Sequence, residues 1–308
     1  MRHFQSARPV FDKNGKDTLW ETVGYNPSIQ EEINRALIHV YSLLKSSGQT
    51  QAEEHLHIER IDYCLFGNSN PFRVKVVNNY NEVYDYFYVK QADASRILGL
   101  ELEHLVSPYW INYLVDGSTL IEEHIAGVPG DVFVQYYLDR PEFNRKRIAK
   151  EFVKFNERCF FRLLGDMRSY NFVFDITQDF DDIQFRIRAI DFDQQCYEGR
   201  KNMYLPQFFK ENRVFVELVQ KDIHPDVILQ YQQEERAQMM RRIRSQRHRL
   251  KELKEAVEDD PLSTPEKTAQ LARELAEWHK RPEMASCSTM GHLIEAHMKA
   301  IILAGLKK

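Results

Sequence analysis

The sequence predicts an α+β fold of two lobes, in which a five-stranded antiparallel sheet with one helix precedes a mostly helical region. Three observations predict it. Between Ile58 and Ile125, short segments rich in Tyr, Val, Phe and Ile are punctuated by clusters of turn residues. From Pro141 onward, apolar residues recur at helical spacing. The chain has 308 residues, enough for two units or one domain with two lobes at about 100–200 residues per domain.

The elements follow in order. Ile29, Ile33, Ala36, Leu37, Val40, Leu43 and Leu44 give residues 28–44 an amphipathic helical face, and Ser46-Ser47-Gly48 stops it. Residues 1–57 therefore read as a helical extension. Strands are expected at about 59–66, 72–78, 84–90, 110–115 and 119–125, with a helix at about 93–105 between the third and fourth. The turns are Gly67-Asn68-Ser69-Asn70-Pro71, Asn78-Asn79-Tyr80-Asn81 and Asp116-Gly117. Residues 58–125 form the first lobe and 126–308 the second. In the second lobe Ile148, Phe152, Phe155, Cys159, Phe160 and Leu163 mark a helix running into Leu164-Gly165. A strand pair follows, Asn171 to Asp175 and Phe185 to Asp191, joined by an acidic turn from Gln178 to Asp182. Helices are expected at about 204–220, 226–257, 265–280 and 290–306. Ser263-Thr264-Pro265-Glu266 supplies a hydroxyl cap, an early proline and a first-turn acid for the third of these.

Composition sets the exclusions. With 43% hydrophobic and 29% charged residues, disorder, collagen-like repeats and disulfide-rich miniproteins are ruled out. The net charge of −4 argues against a general polyanion binder, so no nucleic-acid partner is expected. Cys64, Cys159, Cys196 and Cys287 are widely separated and form no C-x-x-C pair, which fits a reducing cytoplasm. The start lacks the apolar core of a signal peptide, and Ala300 to Leu306 is too short to span a bilayer. The run of arginines between Arg236 and Lys254 reads as a solvated helix face, because Met239, Ile243, Leu250, Leu253 and Val257 give it an apolar seam. His292 and His297 are five apart, which misses the i, i+4 metal spacing.

The most informative stretch runs from Leu164 to Asp175 and is followed by Ala189-Ile190-Asp191-Phe192-Asp193. Asp166 and Asn171, five apart, leave a helix and enter a strand, and Asp191 ends the partner strand. Three oxygen-bearing side chains can meet there. Phosphoryl transfer needs such a set, with one carboxylate to orient or deprotonate the attacking hydroxyl and other oxygens to hold magnesium at the nucleotide phosphates.

In these residues the sequence resembles the kinase-like superfamily, most closely its aminoglycoside and choline type small-molecule phosphotransferases, whose loop reads H-G-D-x-x-x-x-N with I-D-F/W-x beyond it. The resemblance covers about residues 60–200 and implies a two-lobed, protein-kinase-like fold. It makes Asp166 the catalytic base or hydroxyl-orienting group, Arg168 a γ-phosphate contact, and Asn171 and Asp191 metal ligands, with Asp193 assisting. Tyr88-Val89-Lys90 looks like the strand end whose lysine grips the α and β phosphates. Glu123, His124 and Ile125 stand where a hinge binds adenine through its backbone. Gly67, Asn68 and Ser69 stand in the phosphate-covering loop.

At 100° per residue, Glu101 falls inside the apolar arc of its helix near Leu98, Leu102 and Leu105, and Glu103 falls on the opposite face. A core-facing carboxylate needs a cation, so Glu101 is the expected partner of Lys90 and Glu103 is expected in solvent. Two features depart from the family pattern. The covering loop has one glycine and no G-x-G-x-x-G, and Leu164 replaces the histidine that usually opens the catalytic loop. Asp193 stands where protein kinases carry glycine, and an acid there is common in the small-molecule branch. The resemblance thus implies an ATP- and Mg2+-dependent phosphotransferase acting on a hydroxyl of a small molecule. The alternatives are a protein or lipopolysaccharide-sugar kinase on the same scaffold, or a pseudokinase binding module. Asp193 and Glu198 would suit a cationic acceptor, and the arginine-rich helix an anionic one.

Overall fold

The computed structural model describes residues 1–12, 14–46, 50–109, 111–179 and 182–306. Three sequence expectations fall partly outside these residues: the helix stop at Ser47 and Gly48, the strand start at Trp110, and the turn at Phe180 and Asp181. The chain divides into two compact units, residues 1–92 with 111–124, and residues 93–110 with 125–308.

The first unit holds β1 (Ser6–Phe11), β2 (Asp17–Gly24), α1 (Pro27–Ser46), β3 (Leu56–Cys64), β4 (Phe72–Asn78), β5 (Tyr84–Gln91), β6 (Tyr113–Asp116) and β7 (Thr119–Glu123). They form one antiparallel seven-stranded sheet in the order β1-β2-β3-β4-β5-β7-β6. All five expected strands are present, and the expected count of five is corrected to seven. The two extra strands lie inside the segment expected to be a helical extension. Their turn is built by the Asp12 carboxylate, which accepts from the N–H groups of Asn14 and Lys16, and by Gly15 at φ +76°. Pro9 is tolerated because β1 is an edge strand. Leu37 and Leu44 of α1 pack on Val23, Ile61, Val74, Val76 and Phe87 of the sheet, which explains the apolar stripe of that helix.

The second unit holds α2 (Ala94–Val106), β8 (Val128–Pro129), α3 (Gly130–Tyr136), α4 (Arg145–Arg162), β9 (Phe172–Asp179), β10 (Asp182–Ala189), α5 (Arg213–Asp222), α6 (Pro225–Ser245), α7 (Arg247–Val257), α8 (Pro265–His279) and α9 (Met290–Leu306). A small antiparallel sheet runs β10-β9-β8. The helix expected at 204–220 begins as 3-10 turns at 201–204, 206–208 and 210–212, since Pro206 lacks the N–H that a continuous α-helix needs. The helix expected at 226–257 is two helices. Gln246 leaves helical geometry at φ −118°, ψ 35°, and its side-chain amide donates to the His104 carbonyl. Three arginines of this basic stretch are used internally: Arg236 on Glu157, Arg242 on the His104 carbonyl and Arg249 on Glu101. No described helix is long and apolar enough to cross a membrane.

Helix α2 overturns one expectation. Glu103, expected in solvent, is 6% exposed. Leu98, Leu100, Leu102, Leu105 and Val106 are all buried, and the partly exposed stripe is instead Ile97, Glu101 and His104, the side on which Glu101 was expected in the core. The Glu103 carboxylate forms an ion pair with Arg162, the last residue of α4, whose side chain is 2% exposed. Glu103→Ala would leave that guanidinium uncompensated. It should cost about 3–5 kcal/mol, read as a lowered urea midpoint; an unchanged midpoint would contradict the pairing.

His297 is fully buried, its Nε2 2.8 Å from the Phe160 carbonyl and its Nδ1 2.9 Å from His279 Nε2. Burial, followed by the neighbouring His279, pulls His297 down to about 3, and burial pulls His279 down to about 4. The unfolded chain binds more protons than the folded one between these values and the ordinary histidine range near 6.5. Stability should therefore be constant from this pair above pH 6.5 and fall on acidification toward pH 4. Urea midpoints measured across that range should fall less in His297→Gln than in the wild type; equal falls would exclude the pair as the source.

Candidate functional site

Helix α4 ends where Leu163 enters the left-handed region at φ 54°, ψ 48°, its N–H donating to the Cys159 and Phe160 carbonyls. For leucine that conformation costs about 1–2 kcal/mol, and the side chain is fully buried. The chain then lies against residues 194–196. Gly165 N–H donates to the Gln194 carbonyl, Cys196 N–H donates to the Leu163 carbonyl, and Leu164 bridges to Gln195. A Cβ on Gly165 would stand 3.0 Å from the Gln194 oxygen, which is why glycine occupies this position. Leu164, in place of the family's histidine, is fully buried.

Asp166 follows at φ 53°, its N–H donating to the Met203 carbonyl. Its carboxylate accepts from Arg168 Nε at 2.8 Å, and Arg168 Nη1 reaches Glu211 at 3.1 Å. The hydrogen bond to Asp166 holds the Arg168 guanidinium above its ordinary range. Asn171 closes the loop: its Nδ2 donates to the Asp166 carbonyl at 2.7 Å and lies 3.4 Å from Asp166 Oδ2. The ladder of β9 and β10 continues one step further, with Ile190 N–H donating to the Asn171 carbonyl at 3.1 Å. Ile190 thus stands opposite Asn171, and Asp191 is the next residue along the chain.

The segment from Asp191 to Asp193 is held by α2. Phe192 is 1% exposed and packs where a side chain on Gly99 would be, 2.8 Å from the ideal Cβ position. Asp193 donates its N–H to Asp191 Oδ1 and places its carboxylate 3.4 Å from Arg96 Nη2. Arg96 is anchored in the first turn of α2, whose N-cap Asp93 accepts from the Arg96 N–H. The Asp193 carboxylate, expected to assist a metal, thus shares Arg96 with the Asp93 carboxylate. Among the described residues no group of three His, Cys, Asp or Glu side chains is gathered to hold a metal ion.

Sequence reading missed the groups that brace this loop. Asn212 is fully buried, and its Nδ2 donates to the carbonyls of Met167 and Pro206 at 2.8 Å each. Neither Asn212 nor Glu211 carries a local signal, since both lie more than forty residues beyond the loop they hold.

Within the first unit, Lys90 pairs with Glu122 at 2.5 Å. Lys90 stands opposite Leu120 in the register, so Glu122, two residues on, shares its face of the sheet. Glu101 belongs to the second unit and forms an ion pair there with Arg249 at 2.8 Å. Of the expected hinge, the N–H groups of Glu123 and His124 donate to the carbonyls of Asn112 and Tyr86 and so serve the sheet. The Glu123 carboxylate accepts from the Asn112 backbone and side chain, and the Tyr88 hydroxyl lies 3.2 Å from His124 Nδ1. Burial lowers the pKa of His124. Ile125 is buried. The turn at Gly67, Asn68 and Ser69 is folded on itself. Asn70, at φ 49°, donates its N–H to the Gly67 carbonyl, Pro71 fills the space of a Gly67 side chain, and the carbonyl of the buried Ser69 accepts from Gln91.

No family model matches the chain, and no curated protein matches it. Among solved structures it is similar to titin kinase with its flanking domains, at 11% identity over 58% of this chain and 43% of that one, with a TM-score of 0.30. It is also similar to the autoinhibited serine kinase domain of the giant muscle protein titin, at 12% identity over 57% and 70%, TM-score 0.28. A third is the Neurospora crassa PAN3 pseudokinase, at 10% identity over 92% and 71%, TM-score 0.22. The chain spans less than half the length of the first of these. At such identities and TM-scores the similarities assign neither family nor activity.

Gly99→Ala should drive a methyl group into Phe192 and cost about 1–3 kcal/mol by overpacking, read as a lowered urea midpoint. A midpoint equal to wild type would show that Phe192 is not held against α2.

Proposed function

We propose that the chain is a kinase-like phosphotransferase that uses ATP and Mg2+ to phosphorylate a hydroxyl of a small molecule. The observation that carries this reading is the closed loop from Asp166 to Asn171, with Asp191 one residue past the Ile190–Asn171 pairing. Asn171 spends its amide N–H on the Asp166 carbonyl, and its Oδ1 would be the atom that ligates a metal. Asp191 would supply the carboxylate. One amide oxygen and one carboxylate suit magnesium, which keeps several waters and is bound by one or two carboxylates together with substrate phosphates. Mg2+ held there would neutralise charge on the nucleotide phosphates. The Asp166 carboxylate would accept a hydrogen bond from the acceptor hydroxyl and orient it. Arg168, fixed between Asp166 and Glu211, would add positive charge near the transferred phosphoryl group. Lys90 would contact the α and β phosphates.

A binding module without transfer activity is the second reading. It is favoured by the closed 67–71 turn and by the occupied N–H groups of Glu123 and His124, which leave fewer backbone donors for a nucleotide.

Thermal-shift titration with ATP separates the two. Binding at a hundredfold over Kd stabilises the fold by about 2.7 kcal/mol, and the shift should depend on magnesium. Asp191→Ala should lose that magnesium dependence, whereas Asp166→Ala should retain it and lose nucleotide consumption against a library of hydroxyl compounds. No metal-dependent shift in the wild type would favour the binding module, and identical behaviour of the two variants would refute the assigned roles.

A further inference from the structure

A second polar cleft, of about 160 Å³, lies in the second unit among β10, α4, α6 and the segment after α2. Its acids are already matched. Glu103 pairs with Arg162, Glu151 with Arg158 at 2.7 Å, and Glu235 with both Arg158 and Lys154. Arg186 makes no ion pair among the described residues, its cross-strand neighbour Asp175 on β9 lying beyond ion-pair distance. Its guanidinium instead stacks on the Tyr109 ring, 4.1 Å from the centroid, a contact that fixes the plane of the donor fork. Arg188 stands two residues along β10 and therefore on the same face, about 7 Å away along the strand. Its Nη2 donates to the Tyr109 carbonyl.

We infer that this cleft binds a small phosphate monoester, gripped by the guanidinium groups of Arg186 and Arg188. Two planar forks on one strand face match a tetrahedral dianion, which can accept from both at once. The cleft, open to solvent, has room for the phosphate and the first atoms of its ester group. Burial, and then the charge of Arg188, pull Arg186 below the ordinary arginine range, and a bound dianion would relieve both costs. The site is separate from the Asp166 loop and stands whether or not the chain transfers phosphate.

Titrate the full chain with inorganic phosphate, glycerol 3-phosphate and a phosphoserine peptide at constant ionic strength, reading the thermal midpoint against chloride. The wild type should show saturable stabilisation by phosphate and glycerol 3-phosphate. Arg186→Gln should weaken it at least tenfold, while Asp191→Ala should respond as wild type. Arg188→Gln should show the same loss as Arg186→Gln, and it decides the matter if the latter does not fold. A non-saturable response in the wild type, an unchanged response in the arginine variants, or a response abolished by Asp191→Ala would overturn the assignment. Tighter binding of the peptide than of glycerol 3-phosphate would overturn the small-molecule limit.

Discussion

A single buried guanidinium organises the second unit. Arg162 ends α4 with its side chain almost wholly removed from water, and it meets the Glu103 carboxylate of α2. It also lies under Phe192, with its Cζ 5.5 Å from the ring centroid. Its carbonyl accepts from the Gln195 side-chain amide. Burying a charge this deeply costs several kcal/mol unless an opposite charge and further polar contacts compensate it. The arrangement therefore constrains three segments together: α2 through the carboxylate, residues 192–195 through the ring and the amide, and the start of the 163–171 loop through α4 itself.

The candidate site inherits this constraint. Asp191 and Asp193 flank Phe192, and that ring is fixed between Arg162 and Gly99, so both carboxylates are carried by a segment with little freedom. On the other side, Asn171 and Asn212 hold the loop by its carbonyls rather than by its side chains. The Asp166 backbone is fixed by these contacts, and its carboxylate is oriented by Arg168, which Glu211 holds in turn.

Much of this was legible in the sequence. The strands between residues 56 and 123 announce themselves through β-prone residues bounded by Asn, Gly and Pro, and the five-residue spacing of Asp166 and Asn171 anticipates a loop that one side chain can close. The first hairpin was not legible because β1 is exposed along most of its length and shows no apolar alternation; only Asn14-Gly15 marks it. Glu103 was misplaced because the apolar residues of α2 surround most of the helix, so their arc does not reveal that the wetter stripe runs through Ile97, Glu101 and His104. Glu122 as a partner of Lys90 required the β5–β7 register, and Glu211 and Asn212 required tertiary structure, since nothing near them in the chain points back to Met167 or Arg168.

The two fully buried cysteines, Cys159 and Cys196, flank this same junction, one in the last turn of α4 and one directly after Gln195. Burial raises both thiols, Cys196 to about 12, so neither supplies a reactive thiolate near neutrality while the junction is closed. Alkylation at Cys196 consequently requires the pairing between residues 163–165 and 194–196 to open, which makes its labelling rate a chemical clock for loosening of the loop.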